Sequence, residues 1–382
     1  MINPKSKQFE GSSLKLPSTD YKESEILLLN NIPTNKKLKS IKNGPQVIKK
    51  EVQNLNYSNK INSLPNNSDS NESSYDSKNE KDIPTKKVLK QYYELETNKL
   101  ISQYGNSYLK SSKEIEKKYR IHSSFLNNHN LNPDSRLLMV DWMIEIFYMF
   151  NSEASTFFLA VDILDRYLQN TKINIQDKDI HLIGLTCIFI ASKAEDLCPF
   201  QMKHIVEDLG KNKFKNVNIL EKEIDIIQTI NFELFNWTTY DYICIQLSDF
   251  KKNNKDIIEK LNMKQYFESY ENCCFFLSKA VQLNYKFTHY LSSLKGLGCL
   301  ICGFDILVSN SKTLNAEIIK VFRQWIADLM EESGFKSDNI NKFYNSLTDY
   351  YKDIIKNEKG ILFHLCETHT FYFYLNNINV FI

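Results

Sequence analysis

The chain has 382 residues, which is enough for about two globular domains that each bury a core. Its 48 basic and 46 acidic residues leave a formal charge of +2, so the total charge does not indicate a nucleic-acid-binding protein. The longest apolar windows, around 182–191 and 297–308, are shorter than the ~18 residues of a membrane span, and residues 1–11 lack a signal peptide's apolar core. Eight cysteines without a framework spacing are typical of reduced thiols. We therefore expect a soluble protein of the nucleus, the cytoplasm or both.

The first 86 residues differ in composition from the rest. They contain six of the eight prolines and the polar run "NNSDSNESSYDSKNEKD". Because such a segment cannot bury enough apolar surface to offset its chain entropy, we predict a disordered arm over 1–86. The remaining chain divides into an N-terminal helix with a first helical domain at 87–236, a second helical domain at 237–358, and an aromatic tail at 359–382 whose role the sequence does not assign.

Helical periodicity dominates from about residue 90, and no strand-like alternation bounded by turn residues occurs, so the fold class is all-α. The first strong helix begins where Asn132 can cap it and Pro133 occupies its first position. Apolar residues surround this helix on all sides, which predicts a central position. Further helices are predicted at 153–169, 178–194, 200–208 and 216–231, and then at 238–251, 263–282, 290–306, 312–332 and 337–357.

Two sets of five helices suggest an internal duplication. The segment "IGLTCIFIASKAED" at 183–196 aligns with "KGLGCLICGFDILV" at 295–308. Each would be the buried third helix of its set, with Gly184 and Gly296 permitting a close helix approach. Asp305 stands opposite Lys193, so the function of Lys193 is not repeated in the second set.

Glu223 is an unexpected charge in the helix at 216–231. It shares a stripe with isoleucines and has no cation one turn away in either direction. Because an unpaired buried charge costs several kcal/mol, a partner from another helix is expected, and Lys193 is the natural candidate. Taken alone, Lys193 also fits an ordinary lysine at a helix C-terminus with Asp196 beside it.

Arg136 and Asp165 interrupt two other apolar helices. The interpretation we favour is a structural salt bridge between neighbouring helices.

Several spaced motifs resemble the cyclin family, most closely its A- and B-type members. They are "SRLLMVDWMIEI" at 135–146, "LDRYL" at 164–168, "ASKAED" at 191–196, and "EIEKKYR" at 114–120, which precedes the fold in A- and B-type members. Glu223 falls at the family's acidic position, nine residues before "FEL". The resemblance covers roughly residues 90–355 and implies two tandem five-helix cyclin folds.

The resemblance also implies a function. Such a protein has no catalytic chemistry and no cofactor, and it binds the αC helix of a cyclin-dependent kinase. Lys193 and Glu223 would hydrogen-bond kinase backbone groups near that helix, and Arg136 with Asp165 would be the family's structural pair. No nucleic acid or membrane partner is implied.

A second family feature is a shallow groove that docks substrates through an Arg-x-Leu-type motif. Mapped onto this chain, the groove consists of Leu138, Trp142, Glu145, Ile180 and His181. Two residues depart from the family, because Ser135 replaces a methionine and His181 a glutamine. Trp142 is also compatible with an ordinary core position. No Arg-type destruction box, KEN motif or Ser/Thr-Pro site occurs.

We therefore expect a regulatory subunit of a cyclin-dependent kinase that acts in the cell cycle, and not an enzyme. Two alternatives are a transcription-associated cyclin and a cyclin-fold general transcription factor that binds DNA. The second alternative predicts an amino-terminal zinc ribbon, and no cysteine precedes Cys187 to form one. "CLIC" at 299–302 has the CxxC spacing of a metal site but lies in an apolar helix without a second pair, so core cysteines are expected there.

Overall fold

The computed structural model describes residues 111–310 and 314–356, with side chains as far as residue 354. All of them belong to one compact unit, Lys81–Ile382. The predicted arm at 1–86 and the predicted tail at 359–382 lie outside the described residues, and the predicted domain boundaries stay predictions.

The first set of helices follows a short helical segment at 111–118. It consists of α1 (Pro133–Met149), α2 (Ala154–Asn170), α3 (Ile180–Glu195), a π-helix (His204–Leu209) and α4 (Asn216–Thr229). Asn132 caps α1 as predicted, because its side chain accepts a hydrogen bond from the backbone N–H of Asp134 at 3.0 Å.

The second set repeats this order. It consists of α5 (Thr239–Asn253), the short α6 (Lys255–Lys260), α7 (Lys264–Leu283), α8 (Ser292–Asn310), α9 (Ala316–Ser333) and α10 (Ser337–Lys356). The sequence did not predict α6, because none of its residues is buried and the helix leaves no apolar stripe. Within the described ranges the regular structure is helical, so the all-α class is confirmed.

Helices α3 and α8 are the central helices of their sets. Helix α3 packs against α1, α2 and α4, and α8 packs against α5, α7, α9 and α10. A side chain at Gly184 would meet Met139 of α1, and one at Gly296 would meet Tyr242 of α5. The predicted close approaches are therefore present in both sets.

The two sets form one body through α1 and α2, which pack against α7, and through α2 with α5. The 111–118 segment also contacts both sets. Lys118 pairs with Glu233 at 2.5 Å, and Glu116 accepts two hydrogen bonds from Ser293 at the start of α8.

One helix in the described residues, α8, is long and apolar enough to cross a membrane. Its apolar stretch is longer than the sequence windows indicated. Since 78% of its most apolar 18-residue window is buried inside the protein, α8 has the surroundings of a core helix.

Candidate functional site

Lys193 and Glu223 meet at the surface of the first set, where the end of α3 lies beside α4. The Lys193 ammonium forms an ion pair and hydrogen bond with the Glu223 carboxylate. The Lys193 side chain is 40% exposed and that of Glu223 is 13% exposed, so the pair is open to solvent on the lysine side. The prediction that Glu223 finds its cation on another helix is confirmed.

The ammonium also lies over an aromatic ring. Its nitrogen is 4.0 Å from the centroid of Phe189, one turn earlier on α3. A cation in this position is attracted by the ring's negative face, and the C-terminal end of the helix dipole favours it as well. Lys193 therefore holds its charge at the surface in a fixed position.

The end of α3 is fixed by the start of α2. The Asp196 carboxylate accepts from the backbone N–H of Glu153 at 3.0 Å and from the Thr156 hydroxyl at 2.7 Å. The Ser155 hydroxyl donates to Glu195 at 2.9 Å, and burial raises the pKa of that carboxyl. Asp196 is thus engaged by α2, which answers the alternative interpretation in which it would neutralise Lys193.

Helix α4 is fixed from its other side by Tyr167 of α2. The Tyr167 hydroxyl donates to Asp225 at 2.6 Å, and the Lys222 ammonium lies 2.7 Å from the same carboxylate. Because Tyr167 is buried, this contact sets how α4 is rotated and turns Glu223 toward Lys193.

An exposed apolar stripe runs along α4 next to this ion pair. Val217 is 59% exposed, Leu220 is 46% exposed and Ile224 is 57% exposed. They are spaced by three and four residues, so they share one face of the helix, and Leu220 lies one turn before Glu223. The spacing of this stripe is visible in the sequence, but the sequence does not show that this face is exposed, because α4 carries apolar residues on two faces.

The predicted substrate groove falls on α1 and the start of α3. Trp142 packs edge-on against His181 with ring centroids 5.3 Å apart, and Leu138 is 47% exposed. Burial raises the pKa of Glu145, while burial followed by the charge of Lys213 lowers the pKa of His181. Ile180 is only 7% exposed and belongs to the core, so its side chain is largely inaccessible.

The Arg136 and Asp165 side chains form the predicted ion pair between α1 and α2. Both guanidinium–carboxylate hydrogen bonds are short, at 2.6 and 2.7 Å, and the Arg136 side chain is fully buried. The pair is structural, because both side chains lie inside the protein.

The second set lacks an equivalent of the Lys193 site in its described part. Asp305 accepts a hydrogen bond from the Tyr344 hydroxyl at 2.5 Å, and burial raises the pKa of its carboxyl. Cys299 and Cys302 are buried in α8 among apolar residues. Within 111–310 and 314–356 no three His, Cys, Asp or Glu side chains are grouped as metal ligands would be.

Comparison with known proteins agrees with this architecture. Residues 107–235 match the family described as the cyclin N-terminal domain. A G2/mitotic-specific cyclin-B of Spisula solidissima is 29% identical over 137 residues, covering 36% of this chain and 31% of that protein. A G1/S-specific cyclin-E of Caenorhabditis elegans is 25% identical over 224 residues, covering 57% of this chain and 39% of that protein.

Among solved structures, a viral cyclin from herpesvirus saimiri covers 63% of this chain and 97% of its own, with a TM-score of 0.47 and 19% identity. The chain spans less than half the length of the curated relatives named above. The first set of helices is a cyclin N-terminal domain. Over these residues the chain is similar to the cyclin family.

Proposed function

We propose that this chain is the regulatory subunit of a cyclin-dependent serine/threonine kinase, which it binds and activates, and that it contributes no catalytic groups itself. The observation that carries the proposal is the Lys193–Glu223 ion pair at the edge of the exposed stripe on α4. Two names among its relatives, a mitotic-specific cyclin-B and a G1/S-specific cyclin-E, support a role in the cell cycle.

The stripe supplies the apolar part of such an interface. Val217, Leu220 and Ile224 are each about half exposed, and a partner helix laid along α4 would remove them from water together. Burial of apolar surface is the main source of affinity in protein association. The adjacent charges of Lys193 and Glu223 then fix the register of the partner helix on α4. Each of the two groups can give up part of the ion pair and form a hydrogen bond to the partner's backbone instead.

Activation would follow from binding one kinase conformation better than another. Catalysis requires an ion pair between a strand β3 lysine and a glutamate on the αC helix of the kinase. A rigid surface that fits the αC helix only in its inward position shifts the population toward the active state by its differential affinity. The fixed ends of α3 and α4 provide that rigidity through Asp196 and Tyr167.

The test is capture of a kinase by the tagged full chain from cells of its source, with identification by mass spectrometry and an assay of serine/threonine kinase activity in the eluate. We expect Lys193→Ala/Glu223→Ala to reduce both the amount of kinase captured and the kinase activity by at least about tenfold. The reason is that losing charged contacts in an interface costs about 2 kcal/mol or more. The variant should still fold, because it removes both charges together and leaves neither of them unpaired.

A matched control exists in the second set. Lys251 pairs with Glu271 at 2.8 Å, its side chain is 49% exposed, and its ammonium lies over the Phe267 ring. Lys251→Ala/Glu271→Ala should therefore retain kinase binding. Equal recovery of one kinase from wild type and the Lys193→Ala/Glu223→Ala variant would refute the assigned site.

The kinase recovered also separates the two remaining classes. Phosphorylation of cell-cycle substrates supports the proposal, whereas a kinase that acts on the polymerase tail would make the chain a transcription-associated cyclin. Retention on DNA without any kinase would instead favour the general transcription factor.

A further inference from the structure

A lysine lies at the centre of the second set, where the duplication predicts an apolar side chain. Lys295 aligns with Ile183 of α3, and the two residues are 7% and 1% exposed. Burial lowers the pKa of Lys295, and the charges of Asp165 and Asp162 oppose that shift. Among the described residues, none makes an ion pair or side-chain hydrogen bond with its ammonium. A buried charge of this kind needs a compensating group.

Lys295 lines a polar cavity between the two sets of helices. The wall includes the segment that follows the 111–118 helix, the middle of α2, the start of α5 and the start of α8. The volume open to the centres of water molecules is about 40 Å³, which corresponds to roughly three waters. The cavity is therefore large enough for a small polyatomic ion.

The acidic groups of the wall are already engaged. Three carboxylates line the cavity, those of Glu116, Asp162 and Asp165. Each accepts hydrogen bonds of 2.6 to 3.0 Å from other parts of the chain. The donors are Ser293 for Glu116, Arg166 and Asn236 for Asp162, and Arg136 for Asp165. Since two of the three carboxylates are neutralised by arginines, only the charge of Glu116 lacks an arginine partner.

Hydrogen-bond donors, in contrast, remain available at this wall. The Lys295 ammonium is one of them. Arg120 is another, because only its Nε donates a hydrogen bond, to the His289 carbonyl at 3.2 Å, and its other two guanidinium nitrogens remain available. Tyr290 and Ser292 also line the cavity, and their hydroxyls bond no other described side chain. Two cations against one unneutralised carboxylate, with hydroxyl donors beside them, form a setting for an anion with several acceptor oxygens.

We propose that this cavity binds a small free tetrahedral oxyanion of the phosphate or sulfate class, held by Lys295 and Arg120. Such an ion would balance the positive charge that remains at this wall after Glu116 has compensated one of the two cations. Because Arg120 follows the N-terminal helix and Lys295 belongs to α8, the bound ion would also link the N-terminal segment to the second set. A ligand that binds only the folded chain stabilises it in proportion to its occupancy.

The test is titration of the full chain with inorganic phosphate by isothermal calorimetry, in chloride buffer at constant ionic strength, together with the melting temperature across the same series. We expect saturable binding at one site and a melting temperature that rises with phosphate. Lys295→Met should bind about 10- to 100-fold more weakly, as expected for the loss of a charged hydrogen bond. Lys286→Met, which changes an exposed lysine nearby, should bind as wild type does.

Lys295→Met should keep its melting temperature or raise it without phosphate, because it removes a buried charge. If that variant does not fold, Arg120→Gln replaces it, because this change leaves the core of α8 unaltered. Arg120→Gln should also bind phosphate more weakly than the wild type does. The absence of saturable phosphate binding by wild type, or equal affinity in wild type and the variant that folds, would overturn the proposal. Tight binding of free phosphoserine without binding of phosphate would overturn the choice of a free ion.

Discussion

Arg136 and Asp165 form a two-point ion pair inside the molecule, with Nε–Oδ1 and Nη2–Oδ2 distances of 2.6 and 2.7 Å. The remaining guanidinium nitrogen, Nη1, donates to the backbone carbonyls of Gln282 and Leu283 at 3.0 and 3.3 Å. One side chain on α1 therefore connects α2 with the end of α7. The pair that ties two helices of the first set together also attaches the second set.

We expect Arg136→Met to lower the free energy of unfolding by about 3–5 kcal/mol, because it leaves Asp165 as an unpaired buried charge. Arg136→Lys should lose much of the same stability, since an ammonium cannot form two parallel hydrogen bonds to one carboxylate. Urea unfolding followed by circular dichroism measures both. In Arg136→Met/Asp165→Leu the loss should be smaller than the sum of the single losses, and an additive result would show that the two groups are uncoupled.

Two close helix approaches, at Gly184 of α3 and at Gly298 of α8, should differ in their tolerance of a methyl group. A Cβ at Gly298 would overlap the Phe343 ring, which is fully buried and stiff. A Cβ at Gly184 would overlap the end of the Met139 side chain, which is flexible. Gly298→Ala should lower the free energy of unfolding by about 1–3 kcal/mol, and Gly184→Ala by less. A reversed order would contradict the packing described for α8.

Lys279 on α7 should make stability depend on pH in the alkaline range. Burial lowers the pKa of its ammonium to about 8 in the folded chain, whereas the unfolded value is about 10.4. Between these values the unfolded chain binds more protons, so the contribution of Lys279 to stability rises with pH across that window and is unfavourable below it.

Lys279→Met should therefore be more stable than wild type at pH 7, by on the order of 3 kcal/mol. The advantage should shrink as the pH rises from about 8 toward 10.4. Urea unfolding of both proteins at pH 7 and 9.5 measures the change, and the exposed Lys286→Met provides the comparison. A difference that does not vary with pH would refute the lowered pKa of this ammonium.

The predicted groove should bind an Arg-x-Leu peptide through the side of Trp142 that His181 leaves open. We expect Trp142→Ala to weaken binding of that peptide by about tenfold or more, as is typical of an aromatic anchor. Capture of the kinase should be retained. Fluorescence polarisation with a labelled peptide measures the affinity. Leu220→Ala, on the α4 stripe, should leave the affinity for the peptide unchanged. Peptide binding that survives Trp142→Ala would place substrate docking elsewhere.

Most of the helices could be predicted from the sequence, because helix formation follows from spacings within a few turns. The cap at Asn132, the central positions of α3 and α8 and the Arg136–Asp165 pair each follow from a local signal or from the cost of an unpaired buried charge. The same cost predicts the partnership of Glu223 with Lys193, which the structure contains.

The tertiary structure alone decided which faces and charges are exposed. Helix α4 carries apolar residues on two faces, and only packing against α2 and α3 shows that Ile219 and Ile226 are buried while Val217 and Leu220 face solvent. Lys295 likewise appears in the sequence as one lysine among many. Burial depends on residues far apart in the chain, so no local pattern could show that its charge lies in a cavity between the two sets.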